Sequence, residues 1–360
     1  VLEHGFTWAG KDGDLVLLND QIAGQVKNAV VSGYELILRS AIPYAMITRS
    51  ANSAGAFESA TKYVVGNMMD SFTKKLEADL MCGQAGIGRV KNNETAGASV
   101  VVEIDNAYFA SGIWGGAEKM KVDFYSALTA GTLRNVASGD AAIASVDFDA
   151  KTITITTLTG NLTAGDYIFF AGSYGKQMKG LHSIMTEATS LFGINPSAYS
   201  LFKATQYDPG SPSVLSFALV QKAIAAGVAR GLKGDVICMV NPGHWDNLLT
   251  ETTAQRMLDS SYKTEEYLMG SKAITFYAQC GKVSIIPSIY VFEGFAYIFN
   301  PEVMARVGST DITFNRPGFE GKFFLDLPSY NGVELRALTD QSLFCAKPGH
   351  LVLIKNLKID

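Results

Sequence analysis

A chain of 360 residues with 48% hydrophobic residues can bury a large core, as two domains or one elaborate one, and is no disordered tail. Its formal net charge of −4 excludes a dedicated nucleic-acid binder, whose affinity would come from many Lys and Arg on phosphates; any DNA contact should be weak and local. No apolar run approaches the roughly 18 residues of a membrane span, and the N-terminus shows no export signal, so a soluble protein is expected.

In chain order, residues 1–27 mix charge, Gly and apolar types and read as an arm lying on another surface. Lys11-Asp12-Gly13-Asp14 superficially resembles a calcium loop, but the later acidic ligands are missing and a turn is expected. Residues 28–55 hold two strand-like runs, around 34–38 and 44–48, joined through Arg39, Ser40 and Pro43. They read as a hairpin that needs a partner surface, with another chain as a candidate.

Residues 56–81 form the one long helical pattern. Val64, Met68, Phe72, Leu76 and Leu80 recur every fourth residue and, with Phe57, Val65 and Met69, mark an apolar side. Ser53 lies in a stretch suited to capping, Glu58 suits the first turn, Lys74 and Lys75 lie toward the end, and Gly83, Gly86 and Gly88 stop it. The Gly-rich run after it follows a helix instead of a strand, which argues against dinucleotide binding.

Residues 100–184 are β-rich. A hairpin is expected from 144–148 and 152–157 around the Asp149-Ala150-Lys151 turn, with another strand at 167–170, in a small barrel or sandwich closed to remove edges. From Ser213, a plausible helix N-cap, a helical pattern places Leu215, Ala218, Leu219 and Ile224 on an apolar side. A buried strand follows at 235–240, and Pro242 and Gly243 open another helix. Strands and short helices alternate to about Val307, an α/β layer pattern, and the remainder carries strand signals that return to an earlier sheet.

Chemistry is sparse in this pattern. His4, His182, His244 and His350 share no ligand spacing, and neither HExxH nor GxSxG occurs. His182 and His244 read as hydrogen-bonded structural groups, and Asp166 as a turn residue. Cys82, Cys238, Cys280 and Cys345 have no zinc spacing and read as reduced, mostly buried thiols. No catalytic, cofactor or metal residue is assigned.

The order of parts, with GKQMKGLHSIM at 175–185, MVNPGHWDNLL at 239–249 and GKVSIIPS at 281–288, resembles the tailed-bacteriophage major capsid proteins of the Hong Kong 97 fold. The resemblance implies an α+β fold. It divides the chain into an N-terminal arm (1–27), an extended E-loop (28–55), a spine helix and P-domain (56–108), an inserted β-rich subdomain (109–175), an A-domain (176–311), returning P-domain strands (312–345) and a C-terminal A-domain strand (346–360).

It also implies a non-enzymatic subunit of an icosahedral capsid, assembled in the bacterial host cytoplasm. The subunit would self-associate into pentamers and hexamers around double-stranded DNA, meeting neighbouring capsomers and scaffold, portal and decoration proteins, with weak contact to DNA and no membrane. The alternatives are an encapsulin-type compartment shell and, ranked lower, an enzyme or sugar-binding β-protein using residues 100–170. Tyr34, Arg39, Tyr44, Ile47 and Arg49 are the candidate intersubunit contacts, with Arg39 and Arg49 either reaching carboxylates of neighbours or simply solvated.

Some members of the resembled family join an E-loop lysine covalently to an asparagine of a neighbouring subunit. Residues 28–55 contain no lysine; their cations are Arg39 and Arg49, poor nucleophiles because guanidinium stays protonated. Lys27 lies at the base of that loop, and Asn315, Asn331 and Asn356 read as turn or strand-end residues. Particles boiled in denaturant should therefore run as a single band near 38.6 kDa. A ladder of covalent oligomers on the gel would contradict this.

Overall fold

The computed structural model describes residues 11–12, 15–16, 23–24, 26–45, 54–251, 274–315, 323–327 and 330–359; residues 11–12, 15–16 and 54–61 are described by backbone alone. His4, the Ser53 cap, the 46–48 end of the second strand-like run, Ile47 and Arg49 lie outside the described residues, as do the side chains of Phe57 and Glu58.

β1 (Lys11–Asp12) and β2 (Leu15–Val16) pair antiparallel, so the chain reverses between them, as the turn reading requires. β3 (Tyr34–Pro43) corrects the hairpin reading: it is one ten-residue strand, and Arg39 and Ser40 lie inside it. The alternation of half-buried and exposed residues continues unbroken from Tyr34 to Ala41, so nothing at Arg39-Ser40 interrupts the pleat. Pro43 ends the strand on an edge, where a missing N–H is tolerated. Its partner also belongs to the same chain, as shown below.

The longest helix, α1 (Ala54–Cys82), has 29 residues and spans about 43 Å. Met68, Phe72 and Leu76 are buried, but Leu80 is only half-buried. Each fourth-residue step over-rotates by about 40°, so the stripe drifts around the helix. Ala78, Met81 and Cys82 take over the buried side at its end. Lys75 serves a specific pair there: its Nζ lies 2.7 Å from Asp79 Oδ1 and 3.8 Å from the centre of the Phe170 ring.

Next come β4 (Gly88–Arg89), β5 (Gly97–Glu103), the short α2 (Ser111–Trp114), β6 (Lys121–Tyr125), β7 (Ala141–Asp147), β8 (Thr152–Leu158) and β9 (Tyr167–Phe170). The strands order as β4-β9-β6-β7-β8-β5. A Val90–Ile104 bridge, flanked by Lys91 N–H to Glu103 O (2.9 Å) and Asp105 N–H to Arg89 O (2.7 Å), joins the two ends. The six strands thus make a closed ring, with two of them preceding residue 109. Val102, Ile104, Val122, Phe124, Ile143, Ile153, Ile155 and Ile168 are buried in its core, with Trp114 of α2 at 0% exposure. Asp166 does make the turn before β9, accepting from Thr163 N at 2.8 Å, and also takes both prongs of Arg134 at 2.9 and 3.1 Å.

α3 (Leu181–Thr186) docks on the end of α1 through two glycines. A Cβ on Gly83 would stand 2.3 Å from Met178 O, and one on Gly180 would stand 2.5 Å from Gly83 N. Only paired glycines allow Gly180 N–H to reach Gly83 O at 2.9 Å.

The remaining elements are β10 (Thr205–Tyr207), α4 (Phe217–Val228), β11 (Val236–Val240), α5 (Pro242–Thr250), β12 (Ile274–Ala278), β13 (Gly281–Pro287), β14 (Ala296–Phe299), β15 (Met304–Thr313), β16 (Leu325–Asp326), β17 (Gly332–Cys345) and β18 (Leu351–Ile354). A mixed six-stranded sheet has the order β10-β18-β14-β11-β13-β12, so the last strand of the chain enters a sheet begun far earlier. Asn241 caps α5 through Gly243 N–H (3.1 Å) with Pro242 at its first position, as expected.

The α4 cap is a correction. Ser216, and not Ser213, accepts from Leu219 N–H at 3.2 Å. Ser213 is held extended by backbone bonds to Asn356 and Lys358, which leaves helix entry to the next serine.

The third sheet is built on β17. β15 and β16 pair along one edge and β3 along the other, with Tyr34 opposite Gln341 and Pro43 opposite Gly332. On one face, Ile42, Leu335 and Ala337 pack with Met68 and Phe72 of α1. Phe72 is 4% exposed. Phe72→Ala should therefore cost about 3–5 kcal/mol, and Met68→Asp, which buries an unpaired charge, should prevent folding. Urea unfolding measures both, and a loss under about 1 kcal/mol for Phe72→Ala would place that side chain outside the core.

Candidate functional site

His182 and His244 are hydrogen-bonded within the fold, as the sequence reading expects. His182 Nδ1 lies 2.9 Å from the Tyr297 hydroxyl, and aromatic rings of Tyr108, Phe292 and Phe295 surround it. Burial pushes its pKa down to about 4. His244 Nε2 meets Glu293 O at 2.5 Å, and burial lowers its pKa as well. The thiols of Cys82, Cys238 and Cys345 are buried, and burial pushes Cys238 and Cys345 up to about 12. Among the described residues, no three His, Cys, Asp or Glu side chains converge as a metal site.

A long strand with unused bonding capacity is β3. Its residues alternate between the α1 side, where Leu36, Leu38 and Ile42 contribute to the core, and the opposite side, where Glu35, Ile37, Arg39 and Ala41 lie. Ile37 is 58% exposed. Among the described residues β3 pairs only with β17, so one edge of a ten-residue strand is left without a ladder.

On that opposite side Arg39 stands directly across from Arg336. Two guanidinium groups so placed repel, and Glu334, two residue pairs along on the same face, compensates them. Arg39 Nε is 3.0 Å from Glu334 Oε2, and Arg336 contacts Oε1. The Glu334 side chain is fully buried while that of Arg39 is 60% exposed. These are charge contacts without aligned hydrogen bonds, since neither Glu334 oxygen meets hydrogen-bond geometry. The cluster holds two positive charges against one negative, so it faces outward with a surplus cation.

Three of the five sequence candidates are described. Tyr34 opens β3, with its hydroxyl 3.5 Å from Gln84 Nε2. Arg39 sits mid-strand in an ion pair within its own chain. Tyr44, 49% exposed, donates its N–H to Asn331 O at 3.1 Å. Sequence reasoning missed Ile37, Glu334 and Arg336. The alternation of Glu334, Arg336 and Leu338 on one side of β17 was a readable signal, but its meaning depends on which strand lies opposite.

No protein-family model matches the chain, and no curated protein matches it. Among solved structures, the chain is similar to the cyanophage A-1(L) capsid asymmetric unit, with a TM-score of 0.50 and 12% identity over 99% of this chain and 89% of that one. It is also similar to the capsid of a native GTA particle (TM-score 0.42, 9% identity, 99% and 85% covered) and of cyanophage P-SCSP1u (0.42, 10%, 99% and 84%). The cyanophage A-1(L) likeness shows that the chain has a capsid-type fold.

The buried His182 ties stability to pH. Its folded pKa of about 4 lies below the ordinary 6.5, so the unfolded chain takes up a proton first as the pH falls. Its contribution is full above pH 6.5, is lost between 6.5 and 4, and changes no further below. The loss should reach on the order of 3 kcal/mol. Urea unfolding of the chain at pH 7.5 and 4.5 should show a larger drop for the wild type than for His182→Phe; equal drops would contradict it.

Proposed function

We propose that this chain is the repeating structural subunit of an icosahedral shell, assembling into pentamers and hexamers that enclose double-stranded DNA. The observation that carries the reading is the fold likeness to a phage capsid subunit along 99% of the chain. A likeness that runs along the whole chain and is not confined to one pocket suits a protein whose work is to assemble.

In this reading residues 1–27 are the arm, 28–55 the extended loop and α1 the spine. Residues 56–108 and 312–345 form the P-domain, 109–175 an inserted β-subdomain whose ring is completed by β4 and β5 of the preceding stretch, and 176–311 with 346–360 the A-domain, from whose end β15 pairs with β17. The open edge of β3, together with the adjoining sheet face that carries Ile37 and Arg39 of β3 and Arg336 of β17, is the intersubunit surface. An edge strand supplies backbone bonds and alternate side chains to a neighbour, and a symmetric shell multiplies that contact around each ring. Tyr44, Ile47 and Arg49 remain the further candidate contacts on sequence grounds. Scaffold, portal and decoration proteins are further partners. The chain's net charge of −4 keeps its contact with DNA weak, so enclosure comes from the closed shell.

Negative-stain imaging and light scattering of the purified chain test this. Closed shells are expected from the wild type, and Ile37→Asp should yield folded subunits that assemble poorly. A wild type that stays monomeric at high concentration overturns the shell, and shells that package a protein cargo in place of nucleic acid overturn the enclosure of DNA.

A further inference from the structure

Several stretches of chain meet around a cavity of about 700 Å³: the segment before β3, the turns before β10, the turn after α4, and the end of β17 with the turn leading into β18. Two glycines shape it. Gly349 lets the turn before β18 lie against Leu201, where a Cβ would stand 2.7 Å from the Leu201 carbonyl oxygen. Gly231, at φ +106, supports the left-handed turn just after Arg230.

Lys27, Arg230, Lys347 and His350 line this cavity, and among the described residues no Asp or Glu does. Among the described residues Lys27, Arg230 and Lys347 have no carboxylate partner, whereas Lys75, Lys151 and Lys179 each have one. Lys27 is held 5.0 Å from the centre of the Tyr199 ring. Burial, with the nearby charges of Lys347 and Lys233, lowers the His350 pKa. Its Nδ1 is buried with no hydrogen-bond partner. In a chain of net charge −4, three uncompensated cations on one cavity call for a ligand bearing more than one negative charge.

The wall beside the cations is apolar and includes Phe202 and Phe344. We propose that this cavity binds a nucleoside phosphate, with the phosphates on Lys27, Arg230 and Lys347, the base against Phe202 and Phe344, and His350 adding a polar contact. A lone carboxylate would leave most of the positive charge unmatched. The volume suits a small ligand with an aromatic part and a charged part. A DNA duplex keeps its bases stacked and paired, so it offers phosphates but no base to the apolar wall. The ligand can be a free nucleotide or the terminus of a single strand, since both present the same group. The proposal stands apart from the shell reading, because binding is measured on the chain whether or not it assembles.

Isothermal titration of the full chain with dATP, inorganic pyrophosphate, a short single-stranded oligonucleotide with a 5′-phosphate and a blunt duplex tests it. dATP should bind, should weaken with added salt, and should lose about tenfold or more in affinity in Arg230→Ala/Lys347→Ala. Lys222→Ala, on exposed α4 surface away from the cavity, should bind as the wild type does. The NMR signal of His350 should shift on adding dATP, and thermal melts of the unliganded variants separate misfolding from lost binding. An oligonucleotide that outcompetes dATP identifies the strand terminus as the source, and one that does not identifies the free nucleotide. The proposal is overturned if dATP fails to bind at millimolar concentration, if the double variant binds it unchanged, or if pyrophosphate or the duplex binds as tightly as dATP.

Discussion

The pairing of β3 with β17 is the constraint on which this architecture depends. It joins residues 34–43 to 332–341, nearly the two ends of the chain. Closing so long a loop costs entropy that grows only logarithmically with length, so a modest apolar contact offsets the extra span. That contact is the cluster of Ile42, Leu335, Ala337, Met68 and Phe72, where α1 lies on the sheet. Without the helix, one face of the sheet would be an apolar surface in water. Without the sheet, the first half of α1 would keep its apolar stripe exposed.

The other half of α1 belongs to a different core. Ala78, Met81 and Cys82 join the interior shared by the closed ring, α3 and part of the six-stranded sheet. The drift of the apolar stripe is what allows one straight helix to serve both surfaces, because its buried side turns as it passes from one to the other. At the junction Asp79 is buried and its pKa is raised by burial, an effect opposed by Lys75 and by the hydrogen bond from Gln177 at 2.7 Å. A charge held there by two neighbours, with the Gly83–Gly180 contact beside it, fixes α1 against α3 in a single arrangement.

The two outward-facing features differ in kind. Across β3 and β17, the surplus positive charge is spread over Arg39 and Arg336 around a buried carboxylate, while among the described residues the outer backbone edge of β3 has no partner strand. At the cavity, the cations have no carboxylate at all and an apolar wall beside them. The first is suited to a surface that repeats, the second to a ligand that fills a defined volume.

The sequence by itself determined the elements whose signals are local. Four-residue spacing gave α1, Asn-Pro gave the start of α5, alternating Ile and Thr gave β8, and the order of these parts carried the likeness to a capsid fold. Tertiary structure decided whatever depends on a distant partner. Residues 34–43 became one strand because β17 offers an uninterrupted ladder, and Ser216 capped α4 because the C-terminal segment holds Ser213 extended. The charge of Arg39 acquired its meaning from Glu334 and Arg336, nearly three hundred residues away, and the cavity from cations scattered between Lys27 and His350. Local propensity acts over a few residues, whereas register, burial and electrostatic pairing are set by whichever segments the fold brings within a few ångströms.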